Sequence, residues 1–347
     1  MGNFNPKRQR QLPPSIYIWR VAQIASWLVG LYILYNLIFH AAVGLNLFWN
    51  ILITLAPAIL VLATGAWRNL CPMATTALFP SRRGFARRKR LTRAQISRLN
   101  LVAVIALFIL VPLRHAIFDT NGLATAFLIM GLATIAVFVG IRYEWKSAWC
   151  AGLCPIYPVE KLYGSRNSVS LPNIFCQECY RCVTPCPDIT PGLHLLSVKT
   201  TVHDRLAGVM MVGAFPGFVW GWFQVPSTSS AINPRQLLAI FVPPLFGLVV
   251  TTLLFLALRR FVPANVLVRL FSAAAVSCYY WFRLPAFFGF GSFPGAGVVL
   301  DLSGKMPAFF MPAITVATTA FFVWWIVLRK QKKTGWLLRP VHADKET

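Results

Sequence analysis

Eight apolar runs, each long enough to cross a bilayer, set the terms for this sequence: about 17–43, 45–67, 99–118, 122–141, 206–225, 237–258, 264–287 and 306–328. A hydrocarbon core of ~30 Å takes ~20 helical residues. Lipid offers no partner to an open backbone, so the expected fold is an all-α polytopic membrane bundle of about eight transmembrane helices. The first run exceeds the ~7–15-residue core of a cleaved leader and is expected to remain as a span. Gly44 is the expected turn between the first two runs. Pro57, Pro112, Pro216, Pro243, Pro244, Pro263, Pro285 and Pro312 fall inside or beside these runs. Each interior proline frees a carbonyl that a neighbouring helix has to satisfy.

Charge fixes the expected orientation. Only 12 % of residues are charged, against about a quarter in soluble domains. The net charge of +24 sits in short segments between the runs: Ser81 to Arg90 with Arg93 and Arg98, then Arg259 and Arg260, then Arg329 to Lys333. Basic loops stay on the cytoplasmic side, which places both termini in the cytoplasm of a bacterial-type inner membrane. Nucleic-acid binding would need a basic face on a soluble fold and is excluded. The chain therefore divides into a membrane half at 1–141, a cytoplasmic module at 142–205, and further spans with a basic tail at 206–347.

The module carries the chemistry. Its Cys176-Gln-Glu-Cys179-Tyr-Arg-Cys182-Val-Thr-Pro-Cys186-Pro187 is a C-x2-C-x2-C-x3-C-P run, the spacing that ligates iron–sulfur cubanes. Structural zinc pairs its ligands across a longer loop, so zinc or a disulfide staple is the lesser reading. Upstream, two loops resemble each other: Ala66-Trp67-Arg-Asn-Leu70-Cys71-Pro72, and Ala148-Trp149-Cys150-Ala-Gly-Leu153-Cys154-Pro155. Each follows a helical hairpin, which points to a duplicated unit whose two copies meet under the membrane. Cys150 and Cys154, four apart, share a face of a helical turn. In the first copy Trp67 stands where Cys150 stands in the second. Cys71 is then either a ligand or a thiol left from the duplication. Two cubanes take about eight thiolates, and the cytoplasmic loops offer Cys71, Cys150, Cys154, Cys176, Cys179, Cys182 and Cys186. One or two 4Fe-4S clusters follow. Cys278 falls half-way through a run and reads as packing.

Two histidines, His40 and His115, are expected near the outer ends of the first and third spans. Interhelical hydrogen bonding is the plainest reading. A haem b or metal site, or a quinone pocket with Arg114 at the headgroup, are the sharper ones. No phosphate loop, nucleophile elbow or H-E-x-x-H motif is present.

On Cys150-x3-Cys154-Pro155 and the run from Cys176 to Pro187, the first 205 or so residues resemble the membrane-bound polyferredoxins. Members serve periplasmic nitrate reduction as a quinol-oxidising subunit, nitrous oxide reductase maturation, and cytochrome oxidase assembly. The resemblance implies ligation by Cys150, Cys154, Cys176, Cys179, Cys182 and Cys186 in a small ferredoxin-like module. The chain departs from the pattern by its single first-loop cysteine and its four later runs. Two functions follow as expectations. One is electron relay between quinone and a partner redox protein or larger respiratory-type complex, as an oxidoreductase subunit. The other is reduction of a metal or thiol during maturation of another metalloenzyme.

Overall fold

His40, with φ −136° and ψ 63°, separates α1 (Ile16–Phe39) from α2 (Ala41–Leu62). The computed structural model describes residues 15–166, 169–172, 174–177, 195–197, 201–226, 233–293, 296–307, 309–330 and 337–338. The chain thus turns at His40 rather than at Gly44. Gly44 instead lets the two helices close on each other, since a Cβ there would lie on the backbone of Asn36 and Leu37. A second break at Ala63 (φ −144°, ψ 54°) ends α2 and starts the short α3 (Thr64–Leu70). The run expected at 45–67 is therefore two helices.

After Cys71 come α4 (Pro72–Arg82), α5 (Arg93–Phe118) and α6 (Gly122–Arg142). Thr92 and Gln95 close a reciprocal capping box on α5, which satisfies two orphan amide donors at a helix start. The basic loop before it is laced to the end of α6: Arg87 N–H donates to Ile141 O at 2.6 Å and Glu144 N–H to Lys89 O at 3.0 Å. Beyond α6 lie the wide, π-helical turn α7 (Lys146–Leu153) and α8 (Ile156–Tyr163). The second half contains α9 (residues 202–222), α10 (Pro234–Leu258), α11 (Ala264–Phe287) and α12 (Phe310–Leu328). A short parallel pairing joins β1 (Leu171–Pro172) to β2 (Leu337–Leu338).

Six helices, α1, α2, α5, α6, α10 and α12, are long and apolar enough to cross a membrane. The protein is thus a multi-pass membrane protein. The two other expected runs are helical as α9 and α11 but are not among those six. Burial accounts for the difference. Phe215, Phe218 and Trp222 of α9 and Leu267, Phe271 and Tyr280 of α11 lie in one large core cluster, whereas α10 exposes Leu238, Val242, Phe246, Leu253 and Leu254. A helix walled by other helices has no need of a lipid-grade surface and can carry glycine, serine, tyrosine and arginine.

Small residues set the closest approach. Gly213, Gly217 and Gly221 stand four apart on α9. A Cβ on Gly217 would sit on the carbonyl of Gly247 in α10, and one on Gly221 on that of Pro243. This small-xxx-small stripe carries a packing signal that hydropathy alone passes over.

Pro57 behaves as expected of an interior proline. Pro57 interrupts α2 and leaves the carbonyl four residues before it, that of Ile53, without a donor. Tyr279 of α11 supplies one, its hydroxyl lying 3.1 Å from Ile53 O. Next to it the Tyr280 hydroxyl enters the helix ladder, donating to Thr54 O at 2.9 Å and accepting from Ala58 N–H at 2.9 Å. Two tyrosines of one helix thereby repair the kink in another.

Candidate functional site

The two Cys-Pro corners have the same backbone. Cys71 (φ −56°, ψ 115°) and Cys154 (φ −66°, ψ 117°) both leave a helical turn in an extended conformation. Proline explains this, because its ring pushes the residue before it out of the helical region while its own fixed φ suits the first position of a new helix. Pro72 accordingly opens α4 and Pro155 precedes α8. Each thiol is left at a helix start, where amide donors point outward. The backbone N–H groups of Met73 and Ala74 act to lower the Cys71 thiol, and those of Ile156 and Tyr157 the Cys154 thiol. The offsets, two and three residues on, are identical.

The copies also meet. Trp67 of the first corner donates its indole N–H to Glu160 of the second at 3.0 Å. Arg68 pairs with the same carboxylate at 3.2 Å and lies 5.7 Å from the Tyr157 ring centre. Arg68 and Glu160 are both buried. Cys71, Cys150, Cys154, Trp145, Trp149 and Phe175 belong to one packed cluster. Burial pushes the Cys154 thiol up to about 12, helped by Glu160 and by neighbouring Cys71. Burial raises Cys71 in the same way, and the amide donors oppose the shift at both. Thiols so placed are neutral until a cation displaces their protons.

Other cysteines bear on this cluster unequally. Cys150 is buried in α7, whose carbonyls reach five residues ahead, Cys154 N–H donating to Trp149 O at 2.8 Å. Cys176 lies in a short turn, Ile174–Gln177, and Phe175 beside it meets Trp145 edge-on at 5.3 Å. The four-cysteine run therefore begins against the paired corners. Cys179, Cys182 and Cys186 lie outside the described residues, as does the ferredoxin-like shape expected of their segment. Cys278 sits in the main core of α11 among apolar side chains.

An iron–sulfur cluster fits what is present in two respects. The amide donors aimed at both sulfurs are of the kind that tune thiolate-bound iron. In addition, the indole N–H of Trp145, in the same packed cluster, is buried and has no hydrogen-bond partner among the described residues. A cluster sulfur would give it one. Among the described residues no three His, Cys, Asp or Glu side chains gather as a metal group. Any complete ligand set therefore has to draw on the run that starts at Cys176.

The histidines are placed differently from each other. His115 is buried at the end of α5, its Nε2 3.0 Å from Trp222 O and its Nδ1 3.9 Å from Asp119. His40 is exposed at the α1–α2 turn, its ring 6.0 Å from that of Tyr35. Arg114 is held by Asp119 at 2.6 Å and lies between the rings of Trp49 and Trp222. Glu160 and Trp145 are the residues at the corners that motif reading misses, since neither belongs to a cysteine pattern. Comparison of the chain with protein-family models, with curated proteins and with solved structures finds no match.

Proposed function

We propose that the chain is a membrane-embedded iron–sulfur electron carrier, relaying electrons between the quinone pool and a partner redox protein or larger complex through one or two 4Fe-4S clusters. The observation that carries this reading is the pairing of two Cys-Pro corners of matched geometry beside the start of the C-x2-C-x2-C-x3-C-P run. Cys176, Cys179 and Cys182 hold one cluster and borrow a fourth thiolate from a corner. Cys186 reaches across to a second cluster with Cys150. Eight spans, with α9 and α11 as the inner pair, station the clusters at the cytoplasmic face of a bacterial-type inner membrane. The basic segments on that side orient the bundle. A small cluster module suits a relay within an oxidoreductase complex.

Iron and acid-labile sulfide analysis of anaerobically purified protein, with EPR of the reduced form, tests the proposal. Bound iron and a cluster signal are expected, and Cys176→Ser or Cys182→Ser should abolish the broad visible absorption. Colourless, iron-free wild-type protein, or unchanged spectra in both variants, would refute the ligand set.

A further inference from the structure

At the end of the bundle away from the thiols, the start of α2, the ends of α5, α9 and α11 and the segment after α11 line a half-open cavity of about 340 Å³. That volume is in the range of small-molecule sites and far exceeds the needs of a lone water. Two arginines line it, Arg114 and Arg283, both at least nine-tenths buried. The titratable lining is completed by His115 and Asp119.

The cations are fixed and incompletely used. Arg283 reaches from α11 to α2 through Nε to Thr54 Oγ1 at 2.7 Å and through one terminal nitrogen to Asn50 Oδ1 at 2.6 Å and Trp49 O at 3.1 Å. Its other terminal nitrogen, Nη1, has no hydrogen-bond acceptor among the described residues. It lies against Gly297, where φ is +75° and a Cβ would collide with it. The side-chain hydrogen bonding of Arg114 among the described residues runs through Nε alone, to Asp119 Oδ1 at 2.6 Å. A guanidinium offers five donors in a planar fork. Two such groups, with one carboxylate between them, leave a net positive cavity with unspent donors. Phe223 and Phe282, stacked at 5.0 Å, give the same space an apolar wall.

We infer that this cavity binds an oxyanion, a phosphate or carboxylate group, whose oxygens take the free donors of Arg114 and Arg283 while its apolar part lies along the Phe223–Phe282 wall. Guanidinium forks match such groups geometrically. The group comes either from a phospholipid headgroup or from a free anion, and neither source involves the thiols at the other end.

The test uses the full chain in dodecyl maltoside, with folding checked by circular dichroism and gel filtration. Native mass spectrometry reads retained phospholipid, and calorimetry reads inorganic phosphate and benzoate. One phospholipid retained by wild type and lost from Ser292→Trp, which adds bulk at the cavity lining and leaves both arginines in the sequence, identifies a headgroup. No retained lipid, with 1:1 binding of phosphate or benzoate weakened at least tenfold in Ser292→Trp and in Arg114→Lys, identifies a free anion. Arg283→Gln should lose as much. Because Arg283 also fastens α11 to α2, Ser292→Trp decides the matter where that variant does not fold. Folded wild type that holds neither lipid nor anion, or variants that bind as wild type does, would overturn the inference.

Discussion

The two Cys-Pro corners share a backbone and differ in what precedes it. Before Cys71 the turn is an ordinary α-helix carrying Trp67; before Cys154 it is a π-helical turn carrying Cys150 at the equivalent place. The posture of each thiol is therefore a property of the Cys-Pro pair itself, set by local sterics and the amides of the following helix. What each corner adds beyond one thiol depends on the preceding turn. The second adds another thiol. The first adds Trp67 and Arg68, which close on Glu160 of its counterpart. One corner thus carries the extra thiol and the other the clamp.

The largest effect is expected where the clamp closes. Glu160→Ala removes the carboxylate that buried Arg68 pairs with and that accepts from Trp67, and should cost about 3–5 kcal/mol, read as a lowered midpoint in SDS-titrated unfolding. A loss below about 1 kcal/mol would mean that the corners are independent. Trp67→Phe deletes the N–H donor together with the pyrrole part of the indole, so it should cost about 2 kcal/mol in the same assay, about half from the lost hydrogen bond and half from lost packing. A far larger loss would move the weight from Glu160 to the packing of the indole. Smallest of all, Pro72→Ala and Pro155→Ala should each change stability by about 0.4–1 kcal/mol, and by similar amounts. A marked inequality between them would show that the backbone match does not extend to energetics.

Much of the architecture was legible beforehand because it is local or compositional. Hydropathy located the helical runs, and the rule that neighbours must satisfy proline-freed carbonyls found its agents in Tyr279 and Tyr280. The likeness of the two loops, read from a few residues, reappears as equal dihedrals at Cys71 and Cys154. Less was legible where partners are far apart in the chain. The turn at His40 was assigned to Gly44, because a glycine used for close packing and one used for turning look alike in sequence. Nothing near Glu160 marks it as the partner of a residue more than ninety positions away. Arg283 belongs to no motif, yet it fastens two helices and faces a cavity.

By itself, then, the sequence determined that this chain is a helical membrane protein with four cysteines in a C-x2-C-x2-C-x3-C-P run, because span length, charge and residue spacing are written along one dimension. Only the tertiary structure decided which helices are walled in by protein, how the two corners clasp each other, and that two buried arginines share a cavity. Those outcomes depend on which surfaces meet across long stretches of chain, and close packing between distant segments leaves little trace in any one of them.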